Sequence, residues 1–389
     1  MTLFALVLLL SVLGQANTLS LTPEKSIQEA IDKSQPGDII EIQSGTYFEN
    51  VNVTKPLVIR GVDTGKGFPA VNAQGRGSAI TLFANGITLE CLNFTGAGGW
   101  EEAGIKVRSN GCTIINSMAS NNYGLGIYLL KANDSILINN KIFNNDFGVA
   151  LNTSTNNTLK NNSMYRNKNN FLSASIYSEN NLNDIDTSNK IDGKPLYYLV
   201  NKSDIVIDSS SNAGNVYCIR SKNITIKDLI IDHNFAGIYF HDTTNSQIIN
   251  NTLRNNSMGI SFIDSSNNVI IENLVSDNSY GIYLKTSSAN NTIIGNNASN
   301  NDYGIFLNID GTSDQSNIIY NNTLIDNKKG NAFSRGPAKW DNGSTGNRYG
   351  DYDQAGEGCS DSDGNAICDR PYKIRGGPGS DKYPISKPS

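Results

Sequence analysis

Charge is scarce in this chain. Acidic and basic residues together make up 17% of its 389 residues and the formal net charge is −5, which argues against a strong field for nucleic acid or an anionic membrane. The expected partner is neutral or weakly charged. Apolar runs are equally scarce. After the segment Leu3 to Leu13, no stretch approaches the roughly 20 residues that a membrane-spanning helix needs, so no integral span is expected in the mature chain. That first run is followed by small residues at Gly14 and Ala16 and reads as a signal peptide over residues 1–16, although no Lys or Arg precedes it. The reading predicts an exported protein, extracellular or held at the cell surface, in a compartment that permits disulfides.

What the chain does have is repetition. The phrase x-Gly-Ile/Val-x-Phe/Leu/Val recurs with glycines at Gly104, Gly126, Gly148, Gly237, Gly259, Gly281 and Gly304, spaced by 22, 22, 89, 22, 22 and 23 residues. The long gap is close to four periods, and AGNVYCI, with Gly214, is expected to fill one of them. A second phrase keeps the same beat: NSQIINNTL, NNVIIENLV, NNTIIGNNA and SNIIYNNTL. Short Ile- and Val-rich alternations separated by Asn, Asp, Ser and Gly predict strands and turns. Such a unit buries its apolar side chains only by stacking on its neighbours. No part of the repeat has helical apolar spacing, and Ile replaces the Leu ladder of a leucine-rich repeat. The fold class expected is therefore all-β: a right-handed parallel β-helix with three strands per turn of about 22 residues.

Equivalent residues of successive turns then lie about 4.8 Å apart. Asn140 and Asn162 are expected to share one station, Asn251, Asn273, Asn296 and Asn321 another, and Asn234, Asn256, Asn278 and Asn301 a third. Their amides can bond along the coil, and Asn tolerates the left-handed conformation of a sharp corner. At the N-terminal end, SIQEAIDKSQPGDIIEI places Ile27, Ala30 and Ile31 on one face of a short capping helix before a Pro36-Gly37-Asp38 turn. The expected organisation is a cap and coil over 17–340 and a C-terminal tail over 341–389.

The run SIQEAIDKSQPGDIIEIQSGTYFENVNV, the repeats, IDGKPLYYLVN at 191 and the tail GNRYGDYDQAGEGCSDSDGNAICDRPYKI resemble the NosD-like β-helix proteins. These belong to the carbohydrate-binding and sugar-hydrolase group of the pectin-lyase-like superfamily. The likeness covers most of residues 22 to 385 and is strongest to surface or secreted members found in archaea. It implies a β-helix with a carbohydrate or cell-envelope role. The NosD name also raises copper, which wants clustered His, Cys or Met. The chain has two histidines and four scattered methionines, so no copper delivery is expected.

Four groups of residues are candidates for chemistry. In DSDGNAICD, Asp361, Asp363, Asn365 and Asp369 with the Ile367 carbonyl form an oxygen-rich set suited to a structural Ca²⁺, without the Gly at 6 and Glu at 12 of an EF-hand. The bland reading of the same loop is an acidic surface turn. Cys359 and Cys368 bracket it and are expected to form a disulfide, while Cys91, Cys112 and Cys218 read as small buried apolar residues. Asp232, His233, His241 and Asp242 are the only acid and base candidates. Their YFHD is similar to the DPHD motif of alginate epimerases but lacks its Pro, and equivalent stations elsewhere read FID and LKT. Tyr128, Tyr239, Tyr283 and Phe306 lie two residues after their repeat glycines. They are expected to form one outward aromatic column on one sheet, suited to stacking on sugar rings.

These features predict a non-catalytic surface protein that binds a polysaccharide or packs with an envelope glycan or protein. A polysaccharide lyase, C5-epimerase or glycoside hydrolase is the alternative, and a purely structural surface protein a third.

Overall fold

The computed structural model describes residues 16–173, 183–310 and 316–387. The expected signal peptide lies, except for Ala16, outside the described residues. The chain is a right-handed parallel β-solenoid with a single α-helix among the described residues. That helix, Ile27–Lys33, buries Ile27, Ala30 and Ile31 over the open end of the core. Ser26 caps its start by accepting from the Glu29 N–H. Glu49 accepts from the next two orphan amides, those of Ile27 and Gln28. At the other end the Lys55 ammonium donates to the Ile31, Asp32 and Ser34 carbonyls. Both helix termini are thereby tied to the first turns of the coil.

The solenoid is two coils joined through one sheet. In the N-terminal coil, sheet A has eight strands from Thr18–Leu21 to Asp184–Ile185, and sheet C has six from Val51–Val53 to Asn169–Ser173. Sheet B begins at Thr46–Tyr47 and runs through fourteen strands to Gly330–Arg335, serving both coils. Two further sheets complete the C-terminal coil: D, from Ser203–Ile207 to Ala338–Lys339, and E, from Ile230–Asp232 to Arg348–Tyr349. The coil thus runs past the expected boundary at 340.

The change from one coil to the next is a hairpin. Strand Lys190–Ile191 pairs antiparallel with Lys194–Val200, whose later neighbours in sheet B are parallel to it. The turn is Asp192-Gly193, with φ of 46° and 83°, the positive-φ pair of a two-residue hairpin. Strand direction in sheet B reverses there, and so does the face that is buried. Val71, Phe94, Ile142 and Met164 point into the N-terminal core, and Val216, Ile238, Ile260 and Phe262 into the C-terminal core. Tyr198, Tyr217 and Tyr239, which alternate with the latter set, pack instead with the N-terminal core. The two coils therefore wind on opposite faces of one continuous sheet.

Each corner is built by a pair of residues with different work. Buried Asn side chains form ladders in which one amide bonds the next: Asn251 Nδ2 donates to Asn273 Oδ1 at 2.9 Å, Asn273 to Asn296 at 2.9 Å and Asn296 to Asn322 at 2.9 Å. The fourth rung is Asn322, not Asn321, and Asn347 continues the ladder beyond it. Asn321 precedes it with φ 57° and is the corner residue proper. The same division holds at Asn250 and Asn255 (φ 52° and 53°), each placed before a ladder Asn. This is why the sequence writes Asn-Asn so often: the first turns the backbone and the second satisfies it.

The repeat glycines answer a different demand. Their φ values are ordinary, but a Cβ at Gly259 would stand 2.4 Å from Val275 Cγ1 and 2.7 Å from the Gly281 carbonyl of the next turn. The expected station at Gly214 is off by one. Val216 pairs with Ile238, so Asn215 occupies the place of Gly237 and donates its amide to the Ala236 carbonyl.

The tail is a cap. Tyr372 stacks on Tyr349 at 3.8 Å, and Ile374 and Trp340 are buried with the end of the C-terminal core. Asp381 accepts from the Asn347 N–H and the Tyr349 hydroxyl at 2.7 and 3.0 Å. Gly346 leaves the room for it, since a Cβ there would lie 1.8 Å from Asp381 Oδ1.

Candidate functional site

The aromatic column expected on one sheet is divided by the hairpin. Tyr128 lies on the outer face of sheet C, between Lys106 and Ala150 in register. Tyr239, Tyr283 and Phe306 lie in sheet B of the C-terminal coil. Tyr239 is only 3% exposed. Its ring lies tilted against Tyr217 at 4.9 Å, and Phe171 at the end of sheet C sets its edge against Tyr217 at 5.3 Å. The column starts under the N-terminal coil and emerges from it. Beyond Ser261 it continues as Tyr283, Phe306 and Phe333, all half-buried, with Phe306 and Phe333 stacked at 4.4 Å. Beside it stands a second pair, Tyr280 and Tyr303, parallel at 5.5 Å.

The four acid and base candidates do not form one site. Asp232 and His233 sit before strand Ala236–His241, and His241 and Asp242 at its far end. At about 3.3 Å per residue the strand separates them by roughly 20 Å. His233 Nδ1 lies 3.6 Å from Asp232, which also faces Arg254 at 3.7 Å. His241 Nε2 faces Asp264 at 3.7 Å. Burial holds the His241 imidazole below its usual pKa range, against the opposing pull of Asp264 and Asp242.

Where the coils meet, a groove of about 400 Å³ opens. One wall comes from the N-terminal coil through Lys168 and Asn169. The other is made of two columns that flank the Asn256–Asn278 ladder: the corner residues His233, Asn255, Asp277 and Asn300, and Ser257, Ser279, Asp302 and Lys328, which stand two places after the corners at Asn255, Asp277, Asn300 and Asp326. Contact across the seam is direct. Ser257 Oγ donates to Asn169 Oδ1 at 3.0 Å, and the Asn170 N–H to the His233 carbonyl at 3.1 Å. Tyr280 and Tyr303 follow Ser279 and Asp302 in sequence, so the stacked pair borders the groove. Two lysines and two aspartates balance in charge, and the remaining lining is amide, hydroxyl and imidazole. Such a surface suits a polar, uncharged ligand with many hydroxyls. The lining residues occupy plain repeat positions, and only the seam reveals them.

In the tail, Cys359 and Cys368 are bonded with Cα atoms 4.9 Å apart. The loop they close bonds itself: Asp361 accepts from the Asn365 and Ala366 amides, Asp363 from Asn365, and Asp369 from Ser360 and Ser362. The Ile367 N–H donates to Asn365 Oδ1. Cys112 and Cys218 are buried, whereas Cys91 is partly exposed and takes the corner conformation with φ 58°. Among the described residues no three His, Cys, Asp or Glu side chains gather as a metal-holding group. The donors copper would want are dispersed: the two histidines stand at opposite ends of a strand, and Met164 is buried in the N-terminal core. They do not fit a copper site.

No curated protein matches the chain. Residues 173–354 match the family described as Periplasmic copper-binding protein (NosD), and residues 39–213 the right handed beta helix region. Solved structures similar to it include the DFA-IIIase of Arthrobacter chlorophenolicus A6 in complex with GF2 (13% identity, 76% of this chain and 78% of that one, TM-score 0.33). The A-module of the mannuronan C-5 epimerase AlgE6 of Azotobacter vinelandii is similar at 15% identity over 80% and 92%, TM-score 0.36. XylC in its complex with xylose is similar at 10% identity over 79% and 75%, TM-score 0.38. No helix among the described residues is long and apolar enough to cross a membrane. By sequence match and by solenoid, the chain is a NosD-like right-handed β-helix protein.

Proposed function

We propose that this is an exported, non-catalytic β-helix protein of the cell surface that binds a neutral polysaccharide in the groove between its two coils. The observation that carries the reading is the groove's composition: balanced charge, amides and hydroxyls repeated at one-turn spacing, and the stacked Tyr280–Tyr303 pair along its border. Rings so placed receive the apolar faces of sugars while Ser257, Ser279 and Asn300 bond their hydroxyls. Of the residues expected to bind sugar, Tyr283 and Phe306 remain beside this groove, and Tyr239 lies beneath it.

The test is retention on insoluble neutral polysaccharides, with reducing ends and unsaturated products measured in the same tubes. Wild type is expected to be retained without products, and the Tyr303→Ala variant to bind about tenfold more weakly, about 1.4 kcal/mol. Product formation would make the chain a polysaccharide-modifying enzyme. Retention by none of the polymers would leave a purely structural surface protein.

The Ca²⁺ expected in the tail loop stands as a separate, structural proposal. Calcium at millimolar level should raise the melting temperature by a few degrees, and Asp361→Asn should abolish the rise. An unchanged melting temperature in wild type removes the ion.

A further inference from the structure

On the outer face of sheet C lies a shelf of about 170 Å³ formed by Leu125, Tyr128, Phe147, Ala150 and Leu172, with Trp100 at its rim. The rim is a purpose-built irregularity. Gly98 pairs with Tyr123 and Ala103 with Leu125, so residues 99–102 bulge out opposite the single residue Gly124. Gly124, at φ 137°, lets the bulge close, since a Cβ there would meet the Glu102 and Gly99 carbonyls at 2.5 and 2.6 Å. Glu102 pins the bulge from beneath, bonding the Ser78 hydroxyl and lying 3.3 Å from Lys106 Nζ. Bulges re-aim side chains. This one is anchored yet holds Trp100 82% exposed.

Shelf and groove are continuous. Phe147 lines the shelf and pairs in register with Asn169, which lines the groove and is bonded to Ser257. The Phe147 ring also meets Phe235, two residues after His233, at 6.2 Å. Only one strand spacing separates the two surfaces. The shelf is smaller than the roughly 300 Å³ at which pockets for drug-sized ligands begin, which suits one ring. Glu101 is its sole charged lining residue, and the Tyr128 hydroxyl and the Asn152 amide, bonded to each other at 3.0 Å, offer hydroxyl partners at the edge.

We infer that the Trp100 shelf is an outlying sugar subsite of the same track, so that one neutral polysaccharide chain lies across the seam from Trp100 to Tyr303. This rests on the groove being the glycan site, and it adds that the ligand is a polymer read on both coils. A short oligosaccharide fills the groove alone; a long one gains the indole as well.

The experiment is titration of wild type and Trp100→Ala with neutral β-1,4-linked gluco-, manno- and xylo-oligosaccharides, disaccharide through octasaccharide. Intrinsic fluorescence and calorimetry are read together. Trp340, the other tryptophan, is 1% exposed, so a ligand-dependent change in emission belongs to Trp100. The expected result is affinity rising with length in wild type, emission responding only to the longer oligomers, and Trp100→Ala binding them about tenfold more weakly while short ones bind unchanged. Equal affinity of the two proteins at every length overturns the inference and leaves the groove intact. Equal loss at every length overturns it too, because the shelf is then a site of its own. A wild-type dimer that Trp100→Ala dissociates overturns it in favour of a second copy of the chain. If wild type binds none of the series but Tyr303-dependent retention on a polymer persists, the shelf plays no part; if that retention is also missing, the groove reading itself has failed.

Discussion

Replacing Asn273 with alanine is expected to destabilise the C-terminal coil by about 4 kcal/mol, seen as a lower urea midpoint by the emission of buried Trp340. The side chain is 1% exposed and carries a dense set of bonds. Its Oδ1 accepts from the Asn251 N–H and Nδ2, both at 2.9 Å. Its Nδ2 donates to the Ile248 and Ile271 carbonyls at 2.9 and 3.0 Å and to Asn296 Oδ1 at 2.9 Å. Truncation orphans the Asn251 N–H and takes a donor from the Ile248 carbonyl in a place water does not reach, at about 1–3 kcal/mol each, and opens a small void. The neighbouring corner position gives the contrast. Asn250 is exposed and sits at φ 52°, which glycine adopts freely, so Asn250→Gly should change stability by no more than about 0.5 kcal/mol. Equal effects at the two sites would show that the ladder does not hold the turns together.

The second large effect is one of pH. Burial lifts the Asp381 carboxyl from the ordinary 3.8 to about 6, although the Asn347 and Tyr383 amides and the Tyr349 hydroxyl are aimed at it. Between those two values the folded chain holds a proton that the unfolded chain has released. Stability from this group is therefore full below about pH 4 and is lost as pH rises through 6, by about 3 kcal/mol over some two units. Carboxylates such as Asp38 and Asp63 act in the opposite sense: amide hydrogen bonds, from Gln35 and Asn17 at the first and Gly65 and Gly67 at the second, hold their pKa low. Their contribution is present above the unfolded value and lost as the acid range is entered. The comparison that isolates Asp381 is thus wild type against Asp381→Asn. Between pH 4 and 7 the melting temperature of the wild type should fall relative to the variant, with the tail becoming more open to protease. Parallel curves would mean that the cap does not depend on this proton.

Much of the coil is legible in the sequence. The 22-residue beat, the capping helix and the inward Ile columns follow from local pattern, because a turn of β-helix repeats its own contacts. Asn85 and Asn110 open the similar stretches NGITLECLNF and NGCTIINS, which sets Cys112 against Ile87, and the pairing of Thr113 with Thr88 has the same register. The reversal is not legible in the same way. Asp192-Gly193 carries the hairpin signal, but its effect on the sheets appears only when both coils are built, and it moves Tyr128 and Tyr239 onto different surfaces. The groove is hidden for the same reason. Asn169 and Ser257 are 88 residues apart, and nothing in either repeat announces the other. Tyr280 and Tyr303 stand immediately before their glycines, in a column that alternation alone gives no cause to prefer over the one at Tyr283 and Phe306. In the Asn-Asn pairs, composition identifies the residue type but not which member turns the chain.

The winding of two coils on opposite faces of one sheet bears on how such a chain can grow. Turns added within the C-terminal coil, between Ile271 and Tyr303, would extend the groove by about 4.8 Å apiece and leave the seam at Asn169 and Ser257 untouched. Turns added to the N-terminal coil ahead of Gly98 would lengthen the body behind Trp100 without changing the distance from Trp100 to Tyr303. The length of the groove and the length of the body behind Trp100 are thus set by duplication in separate stretches of the gene, and can diverge independently.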